Sequence, residues 1–206
     1  MMQREVYFLR HGETEQNLRG IVQGSGIDSN LNENGLQQAS LFYEKYKSEH
    51  FDLIVHSNLI RTRQTIQHFL THDGYIENDA RIREICWGEH EGKAGEPELM
   101  AKYYRIINAW SSGDYHAKPV GGESAFELGE RLTAFISDLE KKSFQKALIC
   151  THGRTLRALI CLLRQWPLSK MEEIEHSNTG LYHGVLRNGN WHFIRKNDLS
   201  HLNRTI

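Results

Sequence analysis

The sequence predicts an α/β fold, a three-layer sandwich whose mostly parallel central sheet carries helices on both faces. Three observations predict it. Short apolar runs at Val6–Leu9, Leu53–His56 and Ala147–Thr151 are bounded by polar residues, as buried strands are. Longer segments with helical spacing alternate with them. The chain has 206 residues and a formal net charge of −1, which suits one compact domain spanning 1–206.

In chain order, helical spacing falls on Glu33–Tyr46, Leu59–Leu70, Pro97–Trp110, Ser124–Lys142 and Arg154–Leu163. Ser124 followed by Glu127 is a capping-box pattern, and Gly121-Gly122 interrupts the chain just before it. Ser57 or Asn58 can cap the helix that follows the second strand. Near the end, Gly180–Leu186 and Trp191–Arg195 flank Arg187-Asn188-Gly189-Asn190, the pattern of a hairpin turn between two strands.

Composition excludes several classes. No stretch approaches the roughly 18 apolar residues of a membrane span. Met1 to Leu9 shows no secretory signal, so the expected compartment is cytoplasmic. Cys86, Cys150 and Cys161 are odd in number and lack CxxC spacing, which predicts reduced thiols and no cysteine-based zinc site. Charge balance gives no support for bulk nucleic-acid binding. HExxH and similar ligand spacings are absent, and His68 with His72 is a weak helix-face pair, so neither a metal nor another cofactor is expected.

The residues that carry chemistry lie at strand ends. The first strand runs into Arg10, His11 and Gly12, and the third ends in Thr151, His152 and Gly153. In an open α/β sheet, loops at the carboxyl ends of neighbouring strands lie within side-chain reach of one another, so the two histidines are expected to converge. Most of the 12 histidines are surface residues on this reading; the repeated His-Gly pair singles out two. Arg61, in the first turn after the second strand, is a candidate partner or a solvated helix arginine.

Leu9-Arg10-His11-Gly12-Glu13-Thr14 with Asn17, then Gln23-Gly24, Leu31, Gly35 and Gln38-Ala39, form an ordered series of motifs. It continues through Ser57, Leu59, Arg61, Gln64 and Thr65; Glu84, Gly88, Glu91 and Gly92; Pro119, Gly122-Glu123-Ser124 and Arg131; and His152-Gly153. In this order and spacing, over most of its length, the chain resembles the histidine phosphatase superfamily, the phosphoglycerate-mutase-like group. The resemblance implies that His11 is the nucleophile, that Arg10, Arg61 and His152 bind the phosphoryl group, and that Glu84 donates the proton. It also implies substrate contacts from Asn17, Gln23, Gly24 and Gly153.

These roles suit the residue types. A phosphate monoester repels nucleophiles until cations neutralise its oxygens, and guanidinium groups do so two oxygens at a time. A neutral His11 would form a phosphohistidine that water then cleaves. The leaving alkoxide needs an acid that keeps its proton, through burial or a neighbouring negative charge; Glu89 and Glu91 compete with Glu84 for that role on proximity alone.

The chain departs from the family pattern at Asn30 and Asn58, where proline is common, at His90, where tryptophan is common, and at Arg154, where a second glycine is common. Arg154 is expected either at the pocket mouth, favouring a substrate with a second anionic group, or in solvent. Lys93–Val120 is the expected lid; its Met100, Tyr103, Tyr104, Ile107 and Trp110 have the spacing of core residues. The expected activity is metal-independent hydrolysis of a small phosphoester. The alternatives are a cofactor-dependent mutase, of which the extra closing segment is not evident, and a noncatalytic phospholigand binder. The oligomeric state is left open, a dimer included.

Overall fold

The computed structural model describes residues 4–71 and 74–203. His72 and the first three residues, on which the sequence reading also drew, lie outside them. The chain forms β1 (Arg4–Arg10), α1 (Glu15–Leu18), α2 (Glu33–Tyr46), β2 (Leu53–His56), α3 (Ile60–Thr65), β3 (Tyr75–Asn78), α4 (Pro97–Ser111), α5 (Ala125–Lys141), β4 (Lys146–Thr151), α6 (Gly153–Leu163), β5 (Leu181–Arg187) and β6 (Asn190–Asp198). Short 3-10 turns include Gln67–Phe69 and Leu168–Glu173.

The sheet order is β3-β2-β4-β1-β5-β6. The β1, β2, β3 and β4 strands pair in parallel, and β5 and β6 add an antiparallel hairpin. Period-two alternation of side chains explains why helices cover both faces. Val6, Phe8, Leu53, Val55, Ala147 and Ile149 join a core with α4, α5 and α6. Their alternates Tyr7, Leu9, Ile54, Leu148 and Cys150 join a second core with Phe42 and Tyr46 of α2 and with Ile66 and Phe69. Ile107 and Trp110 of α4 are core residues, as their spacing predicts, and Tyr103 packs against that core, but Tyr104, given the same reading, is exposed.

The α5 helix starts on the Ser124–Glu127 capping box. The helix read over Leu59–Leu70 stops at Thr65, where the Thr62 and Thr65 hydroxyls donate to the Leu59 and Arg61 carbonyls and compete with the helical ladder. The short strand β3 has no counterpart in the sequence reading: it is an edge strand with Tyr75 and Ile76 exposed, so it lacks a buried apolar run. All three cysteines are free thiols, and burial pushes the Cys161 thiol up to about 12. Among the described residues, no helix is long and apolar enough to cross a membrane.

Candidate active site

Register places the two His-Gly pairs together. Leu9 pairs with Cys150 and Arg10 with Thr151, so both strands end at one level and their next residues face each other. The His11 and His152 rings lie 5.1 Å apart between centroids. The Gly12 N–H donates to Thr65 Oγ1 at 2.9 Å, and Thr65 in turn donates to the Arg61 carbonyl at 2.7 Å. This short chain of bonds fixes the His11 turn against α3.

His11 is 3% exposed, and its Nδ1–H donates to the Gly12 carbonyl at 2.7 Å. The proton is thereby committed to Nδ1, and Nε2 keeps its lone pair. Burial, then the Arg61 and Arg10 charges, hold His11 well below the usual imidazole range, against the opposing Gly12 bond. It is a neutral imidazole at neutral pH.

Arg61 is 1% exposed. Its Nε donates to His152 Nδ1 at 3.2 Å, Nη1 to the Ile27 carbonyl at 2.7 Å and Nη2 to the Gly24 carbonyl at 2.8 Å. Two of its five N–H donors remain for a ligand. The solvated-helix reading of Arg61 is therefore wrong: Arg61 is turned inward by two carbonyls and an imidazole. Because Arg61 can only donate, His152 Nδ1 must accept, and its proton lies on Nε2, which donates to Ser57 Oγ at 2.7 Å. Burial and the Arg61, His11 and Arg10 groups keep His152 neutral too. Ser57 thus serves His152; Leu59 is the helix N-cap, without a side-chain cap.

Arg10 uses Nη1 for two bonds, to His176 Nδ1 at 3.0 Å and to the His176 carbonyl at 2.8 Å. Its Nε is buried and has no hydrogen-bond partner among the described residues. Burial, then the charges of Arg157 and Arg61, lowers Arg10 to about 10, which still leaves it cationic at neutral pH. An unpaired buried cation N–H is costly and is satisfied by an anion.

Glu84 is half-buried on the N-terminus of α6. Its carboxylate accepts from the Arg154 and Thr155 amides at 3.1 and 3.0 Å, from Thr155 Oγ1 at 3.1 Å and from the Ile85 amide at 3.0 Å. Its competitors are engaged elsewhere: Glu89 pairs with Lys102, and Glu91 accepts from the Gly26 and Trp87 amides at 3.0 and 2.9 Å. Glu84 is the one of the three that adjoins the His152-Gly153 turn.

The remaining candidates divide. The Asn17 side-chain carbonyl accepts from the Thr14 amide, and Asn178, which also donates to the His11 carbonyl, reaches it at 3.3 Å. Gln23 accepts from Ser29. Gly24 holds Arg61 through its carbonyl; at φ 59° and with a Cβ position 1.9 Å from Glu91 Oε1, only glycine fits there. A Cβ on Gly153 would lie 3.2 Å from His176 Nδ1 and 3.3 Å from its Cε1, so Gly153 makes room for the His176 ring. Arg154 does not face solvent. It is 7% exposed, forms an ion pair with Glu172, donates to Tyr103 Oη at 3.1 Å and lies over Trp87 and Trp110. Sequence reading missed His176, Asn178 and Glu172; they sit in an aperiodic segment and carry no motif.

Fold and site together define a class: an α/β protein with a neutral imidazole at a strand end, its Nε2 without a hydrogen-bond partner among the described residues, near the guanidinium groups of Arg10 and Arg61. Residues 6–199 match the histidine phosphatase superfamily (branch 1), and the chain belongs to that family. A Hydrogenobacter thermophilus protein provisionally named phosphoserine phosphatase 2 is 33% identical over 86% of this chain and 87% of its own length. A Yersinia pestis protein named probable phosphoglycerate mutase is 32% identical over 86% and 82%. A crystal structure of phosphoserine phosphatase from Entamoeba histolytica, in complex with 3-phosphoglyceric acid, superposes with a TM-score of 0.81 at 25% identity, over 97% of this chain and 100% of that one.

Proposed function

We propose that the protein is a metal-independent phosphatase that hydrolyses a small phosphorylated metabolite through a phosphohistidine on His11. The observation that carries this reading is the pairing of a free His11 Nε2 with the unpartnered Arg10 Nε: a nucleophile and an anion-seeking donor at one strand end.

Arg10 and the two spare donors of Arg61 bind the phosphoryl oxygens and align phosphorus with Nε2. Nε2 attacks phosphorus, the P–O bond to the leaving group breaks, and the alkoxide takes a proton from Glu84. The acid role requires the carboxylic-acid form of Glu84, which the charge of an adjacent phosphate dianion favours. Water then attacks the phosphohistidine, Glu84 accepts its proton, and inorganic phosphate leaves. His152, its Nδ1 accepting from Arg61 and its Nε2 donating to Ser57, keeps Arg61 in place rather than binding the phosphoryl group itself as the resemblance implies, and Asn17 is assigned a phosphate contact. Gln23 and Arg154 are assigned to the surrounding shell that shapes the substrate pocket, with the Lys93–Val120 segment above. The relatives' names, phosphoserine phosphatase and phosphoglycerate mutase, support a small phosphorylated acid as substrate. The free, buried thiols Cys150 and Cys161 support a cytoplasmic location.

The mutase relative keeps a second reading in play, transfer of the phosphoryl group back to a bound acid. The test is hydrolysis of an aryl phosphate by wild type and His11→Ala in the presence of chelator, with rapid-quench trapping of acid-labile protein phosphate. Turnover and trapping that both disappear in the variant support the proposal. Turnover that requires added metal, or trapping without hydrolysis, rejects it.

A further inference from the structure

We propose that His176 is a positioning residue for Arg10, turning that guanidinium so that its Nε–Nη2 edge, the edge that grips two oxygens at once, faces the phosphoryl site. The proposal rests on the reading of the site given above and assigns a role to a residue outside the family motifs.

Arginine offers five N–H donors. Both protons on Arg10 Nη1 are consumed by one residue, His176, through its Nδ1 at 3.0 Å and its carbonyl at 2.8 Å. That leaves Nε, buried without a partner among the described residues, and the neighbouring Nη2. A guanidinium pinned at one corner by two bonds cannot swing, so the free edge is preset before a ligand arrives.

The pin works only if His176 Nδ1 is unprotonated. The groups facing the ring are Arg10 from β1 and Arg154 and Arg157 from α6; with burial as the largest cause, they lower His176 to about 3. The acceptor therefore persists through neutral pH. The segment bearing it is tied down on every side. Glu172 pairs with both Arg154 and Arg157, Tyr182 Oη donates to the Glu175 carbonyl at 2.7 Å, and the Ser177 amide donates to Asn197 at 2.8 Å. Beyond the histidine, the Asn178 side chain donates to the His11 carbonyl and the Thr179 amide to the Arg10 carbonyl. One strap thus reaches both members of the Arg10-His11 pair.

The test uses His176→Leu, which fills the space without an acceptor, and His176→Asn, whose Oδ1 falls near the position of Nδ1. Each is made in the wild-type and Arg10→Ala backgrounds. Affinity for inorganic phosphate is read by titration calorimetry, kcat and KM with an aryl phosphate, and folding by thermal unfolding. The Leu variant is expected to lose about tenfold in phosphate affinity while remaining folded, and the Asn variant to recover most of it. In the Arg10→Ala background the Leu substitution should cost nothing more. Equal losses in both backgrounds, or no loss in either, overturn the proposal. If the Leu variant does not fold, the comparison of His176→Asn with His176→Ala decides, equal affinities overturning it. Wild type that neither binds phosphate nor turns over defeats the phosphatase reading itself, a result distinct from additive effects in an active enzyme.

Discussion

Arg61 reaches three acceptors on two distant segments, His152 on one and the Gly24 and Ile27 carbonyls on the other, which no other side chain spans in that fork geometry. Arg61→Lys retains a charge but supplies one nitrogen in place of three. It should lower kcat/KM for an aryl phosphate by about 10²–10³-fold, the usual cost of losing one preorganised donor to developing charge. The residues with a local signal were legible from sequence: Arg10, His11 and His152 at strand ends, and Glu84 and Arg61 through motif spacing. Their supports were not. Nothing local in Glu172 or His176 says that the first holds α6 and the second Arg10, because those meetings are made by the sheet order. Ser57 was visible, but as a helix cap; its place beside His152 depends on β2 pairing with β4.

Two connections between elements decide the shape of the site. Glu91 bridges the Gly26 amide and the Trp87 amide, so the loop that presents the Gly24 and Ile27 carbonyls to Arg61 is fastened to the segment carrying Glu84. Gly24→Ala forces a side chain into φ 59° and against Glu91; it should cost about 1–2 kcal/mol for the left-handed conformation and lower kcat more than KM, measured by unfolding and steady-state kinetics. The second connection runs from α6 to α4, where Arg154 joins Glu172 to Tyr103 and packs over two tryptophans. Arg154→Ala should destabilise the protein by about 2 kcal/mol through lost charged hydrogen bonds and cation–π contacts, seen as a lower Tm. If Arg154 instead contacted substrate, KM would rise with Tm unchanged. The elements were legible where periodicity was long, as in α2 and α5. They were not where an edge strand is exposed, as in β3, or where threonine hydroxyls cut a helix short, as in α3.

Across the whole molecule, buried neutral imidazoles set the response to acid. His11 and His152 are held well below the usual range, His176 is lowered to about 3 and His201 to about 4, each chiefly by burial. In the unfolded chain they titrate near 6.5. Below that pH the unfolded state binds protons that the folded state refuses, so stability falls as pH drops from 6.5 toward the folded values. Each fully buried imidazole contributes up to about 1.4 kcal/mol per pH unit. Unfolding scans should show Tm declining between pH 6.5 and 5, above the range in which Glu127 and Asp198, both lowered to about 2, lose their charge. The sheet order has a further consequence, in the time course of folding. The β1 strand is made well before its sheet neighbours β4 and β5, which come more distantly along the chain. Such distant pairing pays its loop-closure entropy before any contact rewards it, so this region should fold slowly relative to the helices. A nascent chain ending before residue 146 would carry His11 and Arg61 without the partners that orient them, so phosphate binding should begin only when β4, with His152 after it, and the segment bearing His176 before β5 have been added.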